Sequence, residues 1–161
     1  MSEAYLCIEK DGISAFPNIG FGPDSNKSTK LFVEAISALK NTVGSQLNES
    51  LALLKNVYAE CSETNWDGYD APPISPNAYW ETMSFIRLLP SWIPKPDILG
   101  GTDGEIILEW YKNSSRLFAI SITGKNELIY AGLFGPYSRN GSTYFGNSIP
   151  EEIINYIQKI N

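Results

Sequence analysis

No histidine occurs in the 161 residues. The commonest general base, metal ligand and pH switch is therefore missing, and Ser-His-Asp and Cys-His catalysis within one chain are excluded. Cysteine is scarce: Cys7 and Cys61 are far apart and form no CxxC pair, so a zinc site lacks ligands and both are expected to be buried thiols. No run of lysine and arginine is present, and the net charge is −6, a balance that repels phosphate backbones and anionic membranes. No apolar run approaches the ~18 residues of a membrane span, and Met1-Ser2-Glu3-Ala4 is not a basic leader. The expectation is a cytoplasmic protein with no metal, no cofactor, no membrane and no nucleic-acid partner.

What is present is ordinary for a globular domain. Hydrophobic residues make up 43% and charged residues 19%, which argues against disorder, and the length suits one domain over 1–161. Tyr5 to Phe16 reads as one or two short strands broken at Asp11-Gly12. Pro17 to Asn26 reads as a loop. Ser28 or Thr29 is placed to cap a helix running through Lys40, and Gly44-Ser45 interrupts it, leaving either two helices or one kinked helix. A second helical pattern runs from Gln46 to Cys61, with Leu47, Leu51, Leu54, Tyr58 and Cys61 on one face. Ser75-Pro76 opens a further helix, with Tyr79, Met83, Ile86 and Leu89 on its apolar side and its end near Pro90. Pro94, Pro96 and Gly100-Gly101 make Ser91 to Gly101 an extended connection.

The period then changes from helical to alternating. Ile106, Leu108 and Trp110 share one face; so do Phe118, Ile120 and Ile122; Leu128, Tyr130 and Phe134 follow. The joins at Asn113-Ser114-Ser115 and Gly124-Lys125-Asn126 are of hairpin length. A short fourth strand is expected near Thr143 to Phe145. A last helix begins at Ser148-Ile149-Pro150-Glu151, a capping-box pattern, with Ile153, Ile157 and Ile160 as its stripe. The expected class is α+β: an antiparallel meander of three to five strands with helices packed on one face.

Two segments concentrate residue types that bind. The first is Trp66-Asp67-Gly68-Tyr69-Asp70-Ala71, two carboxylates and two aromatics around a glycine. It suits a ligand loop, but the plainer reading is structural: Asp67 accepts from backbone amides, Gly68 takes positive φ, and Trp66 and Tyr69 plug the core edge. The second is Gly135 to Phe145, in which Tyr137, Arg139 and Tyr144 are of the types that dominate protein-binding hot spots. The candidate binding residues are thus Trp66, Asp67, Tyr69, Asp70, Tyr137, Arg139 and Tyr144; no catalytic residue is assigned.

Trp66-Asp67-Gly68-Tyr69-Asp70-Ala71, Pro73-Ile74-Ser75, Leu88-Leu89-Pro90, Pro96-Asp97-Ile98 and Asp103-Gly104-Glu105-Ile106 with Leu108-Glu109-Trp110 together resemble a family of short, uncharacterised bacterial proteins. The resemblance covers the last two thirds of the chain. It implies a bacterial or phage origin and one shared fold, and it transfers no activity.

The resulting expectation is a non-catalytic protein-binding or regulatory protein, of the kind that antitoxins, immunity proteins and inhibitors exemplify. The alternative is a carboxylate-dependent hydrolase, either a Mg²⁺ phosphodiesterase using Asp97, Asp103, Glu105 and Glu109 or a glycan-acting enzyme. The Glu109…Lys112 spacing does not match a nuclease core, because the lysine is expected two positions after the acid, where Tyr111 stands. A carbohydrate-binding module with Trp66, Trp92 or Trp110 as platforms is a third option.

Overall fold

The computed structural model describes residues 23–160, with side chains from Lys30 onward except at positions 39, 42 and 43. The strands expected within Tyr5–Phe16, the start of the loop at Pro17, Cys7 and the proposed caps Ser28 and Thr29 lie outside what it describes in full. The chain divides between Lys40 and Asn41 into two compact units. The second, 41–161, carries the sheet.

Helix α1 spans Pro23–Glu60 without a break. This corrects two expectations: the helix begins before Ser28, and Gly44-Ser45 does not interrupt it. A glycine in a helix interior costs only about 1 kcal/mol relative to alanine, too little to stop a helix with good formers on both sides. Ser45 also donates to Glu49 one turn on, at 3.1 Å.

Helix α2 spans Pro76–Leu88 with Ser75 at its N-cap and proline at the first helical position, as the Ser-Pro step predicts. Its buried side is Ala78, Thr82, Phe85 and Ile86. Tyr79, Met83 and Leu89 pack on the flank of the core instead of its centre. The apolar stripe thus sits one residue round from the expected one, because Phe85 is the larger anchor and turns inward.

Five strands follow: β1 Asp97–Gly100, β2 Ile106–Asn113, β3 Arg116–Ile122, β4 Glu127–Phe134 and β5 Tyr137–Tyr144. They form one antiparallel sheet in the order β1-β2-β3-β4-β5, a meander. Helix α3, Glu151–Gln158, closes the fold. Its N-cap is Pro150 with no side-chain bond, so the expected capping box at Ser148 does not form.

Two strands correct the sequence reading. β1 lies inside the stretch expected to be a connection: Ile98 pairs with Leu108 and is buried, as is Ile93. β5 takes all eight residues from Tyr137 to Tyr144, not three near Thr143. Its own sequence has little strand character; the unbroken register with β4 holds it extended.

The core lies between one sheet face and the helices. Ile106, Leu108, Trp110, Phe118, Ile120, Ile122 and Leu128 face Leu54, Phe85, Ile86, Ile153 and Ile157, and all are buried. The strict alternation predicts this face correctly, Tyr130 and Phe134 being its partly buried members. The opposite face presents Leu99, Tyr111, Ile129 and Leu133, between 39% and 59% exposed.

Candidate functional site

The loop 63–71 joins α1 to α2 and is closed by its own groups. Asp67 Oδ1 accepts from the backbone N–H of Tyr69 at 2.8 Å and of Ala71 at 3.1 Å. Asn65 Oδ1 accepts from Asp70 N–H at 2.9 Å, and Asn65 N–H donates to Ala71 O at 2.7 Å. Gly68 has φ +79, the left-handed region that glycine enters without a Cβ clash. Trp66 packs against the core and donates from Nε1 to Pro72 O at 3.1 Å. Asp67, Gly68 and Trp66 therefore do what the structural reading requires. Tyr69 does not: it is 89% exposed and plugs nothing. The Asx-type closure turns its backbone N–H inward, toward Asp67, and leaves the ring outside.

This loop docks on the β1 edge. A Cβ on Gly100 would lie 2.6 Å from Cys61 Sγ and 3.1 Å from the Trp66 ring, so the loop and the strand meet where only glycine fits. The β1–β2 connection reinforces the contact: Ser75 N–H donates to Gly104 O at 2.8 Å, and Ile74 N–H to Cys61 O at 3.0 Å. Burial pushes the Cys61 thiol up, which keeps it protonated. The Trp-Asp-Gly-Tyr and Asp-Gly-x-Ile blocks thus hold each other in place and fix the helix junction to the sheet.

The carboxylates of the hydrolase alternative do not gather there. Glu105 folds back to accept from Asp103 N–H at 2.9 Å. Glu105 and Glu109 lie four positions apart along one strand direction, about 13 Å at 3.3 Å per residue. That exceeds the separations at which two carboxylates share a glycosidic bond, roughly 5–9.5 Å. Of the four, Asp97 and Glu109 alone are brought together: they are cross-strand partners and line a depression of about 330 Å³ with Lys95, Tyr111 and Lys112. Among the described residues no three of His, Cys, Asp and Glu are placed to hold a metal ion. Trp110 is buried and donates to Pro94 O at 2.8 Å, so it cannot serve as a carbohydrate platform; Trp92 and Trp80 are the exposed indoles.

One carboxyl that the sequence reading passed over stands apart. Glu81, on α2, accepts from Asn126 N–H at 3.3 Å, while its Oε1 is buried with no partner among the described residues. Desolvation raises its pKa, opposed by the amides of Asn126 and Gly124. It braces the β3–β4 turn against α2.

Tyr137, Arg139 and Tyr144 all lie on β5, at the other edge of the sheet from the Trp66 loop. The seven candidate residues therefore divide into two groups. Register divides the β5 residues again. Tyr137 pairs with Phe134 and Arg139 with Gly132, on the helix-bearing face; Tyr144 pairs with Glu127, on the open face. Tyr137 is 68% and Tyr144 74% exposed.

On the helix-bearing side a groove of about 490 Å³ is lined by Arg116, Phe134, Tyr137, Arg139, Tyr156 and Lys159. Phe134 stacks on Tyr156 with ring centroids 5.5 Å apart, and Lys159 Nζ lies 5.3 Å from the Tyr156 centroid and 6.0 Å from that of Phe134. Gly132 makes room for this cluster: a Cβ there would come within 2.7 Å of Phe134 and 2.8 Å of Phe118. On the open side a second depression, about 640 Å³, is floored by small and apolar residues, Ala119, Ser121, Ile129 and Ala131 among them, and walled by Asn140 and Ser142 of β5. Sequence reading missed Arg116, Tyr156 and Lys159. The signal for Arg116 was available: it has the same parity as Phe118, Ile120 and Ile122, which puts an arginine on the core face where the helices end.

No helix among the described residues is long and apolar enough to cross a membrane. Comparison with protein-family models, with curated proteins and with solved structures finds no match.

Proposed function

We propose that this chain is a non-catalytic binding protein that takes up a β-strand of another protein along the free edge of β5. The observation that carries this reading is the edge itself. β5 is eight residues long, pairs among the described residues with β4 alone, and keeps one register from Tyr137 to Tyr144. In an antiparallel pair alternate residues direct both N–H and C=O away from the partner strand, so half of β5 offers main-chain bonds to a further strand. Proteins ordinarily blunt such edges with proline, bulges, lysine or a covering element. β5 contains neither proline nor lysine, and no bulge interrupts its pairing. Depressions flank it on both faces, as strand addition requires for alternate side chains.

The resemblance to a bacterial family with the same two motif blocks fits this reading: those blocks build the scaffold, and β5 lies outside them. Regulatory action through protein contact, of the antitoxin, immunity or inhibitor kind, is the biological form we propose. The test is amide hydrogen exchange of the chain with an eight-residue capped peptide, Ac-(Val-Thr)4-NH2, and with its alternately N-methylated counterpart. Protection of alternate β5 amides by the first peptide only is the expected result. Unchanged exchange throughout Tyr137–Tyr144 with both peptides overturns the reading.

A further inference from the structure

From the groove beside β5 we infer that the added strand is acidic: the site selects a peptide whose alternate residues are aspartate or glutamate and whose intervening residues are small or apolar. This rests on the strand-addition reading above and adds the chemistry of the partner.

The chain is acidic overall, yet three of its twelve lysines and arginines line one groove. None of Arg116, Arg139 and Lys159 forms an ion pair with a carboxylate among the described residues, where the one ion pair is Lys95–Glu49. Arg139 spends one donor on the carbonyl of Ser138, at 3.1 Å, and a guanidinium has five. The two arginines come from β3 and β5, which flank β4, so both line the groove beside Phe134 from opposite sides. Lys159 approaches from the end of α3, held over two aromatic faces. All three cations are exposed, so each is open to a charge-assisted bond with an arriving carboxylate.

Strand geometry then links the two depressions. A peptide paired with β5 would point every second side chain to the helix-bearing side, beside Tyr137 and Arg139 at the mouth of the groove, and the others to the open side, beside Asn140 and Ser142 at the wall of the second depression. A peptide alternating acid with a small apolar residue matches both sides at once. A free phosphate has no use for the edge amides or for the open depression, which is why a peptide fits these observations better than an inorganic anion.

Charge offers a competing explanation for Arg139: an inward-pointing charge on an edge strand deters self-pairing. The experiment separates the two. Binding of Ac-(Val-Glu)4-NH2, Ac-(Val-Thr)4-NH2 and Ac-(Val-Lys)4-NH2 is measured by calorimetry, at low salt and at 0.5 M salt, for the unaltered chain and for the double variant Arg116→Gln with Arg139→Gln. The glutamate peptide is expected to bind at least about tenfold more tightly than the threonine peptide, as a charge-assisted bond to Arg139 in the field of Arg116 and Lys159 implies. That advantage should vanish in the double variant and shrink at high salt. The lysine peptide should bind more weakly than either. Equal binding of the glutamate and threonine peptides overturns the inference, as does an advantage that survives in the double variant. Displacement of the glutamate peptide by inorganic phosphate at equal concentration would also overturn it. If the double variant instead self-associates while the unaltered chain shows no acidic preference, edge protection is the role of Arg139. Failure of strand addition is told apart by exchange: a glutamate preference lost in the double variant, with no protection of β5 amides, keeps the groove and removes the strand.

Discussion

The two edges of the sheet are treated in opposite ways. β1 is four residues long, is preceded by Pro94 and Pro96, and has the Trp66 ring and Cys61 packed against its last residue. The β1–β2 connection is tied back to the helix junction through Ser75 and Gly104. β5 is twice as long and carries its aromatics outward, with Tyr137 and Tyr144 both largely exposed. Proline, brevity and a covering loop are the devices by which an edge strand is kept from pairing further. Brevity and a packed loop distinguish β1; proline precedes both strands, and among the described residues nothing covers β5. The density of sequence signal is inverted relative to this: the most motif-like residues build the closed edge, and the edge left open is made of Ser138, Arg139, Asn140, Gly141, Ser142 and Thr143.

Substitutions can break or sharpen this contrast. The largest effect belongs to the core that both edges share. Ile120 is fully buried on the middle strand, and Ile120→Ala should cost ~2–5 kcal/mol in urea unfolding; a stability within error of the unaltered chain would show that the face assignment is wrong. Next comes the closed edge. Gly100→Ala would press a methyl on Cys61 Sγ and Trp66, and overpacking of this kind costs ~1–3 kcal/mol. Gly141→Ala on β5 meets the hydroxyl end of Tyr130, which can swing away, so its cost should be the smaller of the two. Equal losses at the two glycines would remove the distinction between a locked and a free edge.

The loop gives a smaller effect. Asp67→Ala removes the acceptor of two amides and should lower stability by ~0.5–2 kcal/mol, comparable to losing a helix cap, while Asp67→Asn keeps an acceptor oxygen and should cost little. A melting series of the two variants checks this; similar losses for both would mean that charge, not geometry, is what the loop needs.

Glu81 gives the smallest effect, and its sign depends on pH. Its folded pKa is raised by desolvation, so the folded state favours the protonated acid. Below the unfolded pKa the group costs nothing; stability is lost as pH rises through that value and the folded one. Glu81→Gln keeps an acceptor for Asn126 N–H. It should leave stability unchanged near pH 4 and raise it modestly at pH 7, read as the difference between two pH-stability curves. A uniform offset at all pH values would assign the effect to packing.

How much of this was legible beforehand follows from what each element relies on. β2, β3 and β4 bury one face and wet the other, so Ile106-Leu108-Trp110 and Phe118-Ile120-Ile122 show the period of two directly. α3 was legible from Ile153, Ile157 and Ile160, all of which are buried. The inner role of Asp67 followed from the Asp-Gly step. β1 was hidden because its neighbours Pro94 and Pro96 read as strand breakers, although proline is admissible beside an edge. β5 was hidden because pairing with β4 makes it a strand, and pairing is not a local property. The groove was hidden for a similar reason: Arg116, Arg139 and Lys159 come together only once β3, β5 and α3 are placed. Tyr69 shows the limit of reading by residue type, since an aromatic in a tight turn can point either way.

The strand order has a consequence for how the chain reaches this state. Every strand pairs with its neighbour in sequence, and the joins within β2–β5 are tight turns such as Ser114-Ser115 and Gly135-Pro136. Each hairpin closes a short loop, so little chain entropy must be lost before the first contacts form. Topologies dominated by such local contacts fold faster than those whose neighbouring strands are far apart in sequence. The sheet can therefore zip outward one hairpin at a time. A strand arriving from another molecule at β5 would repeat, without a turn to guide it, the step by which β5 itself joined β4.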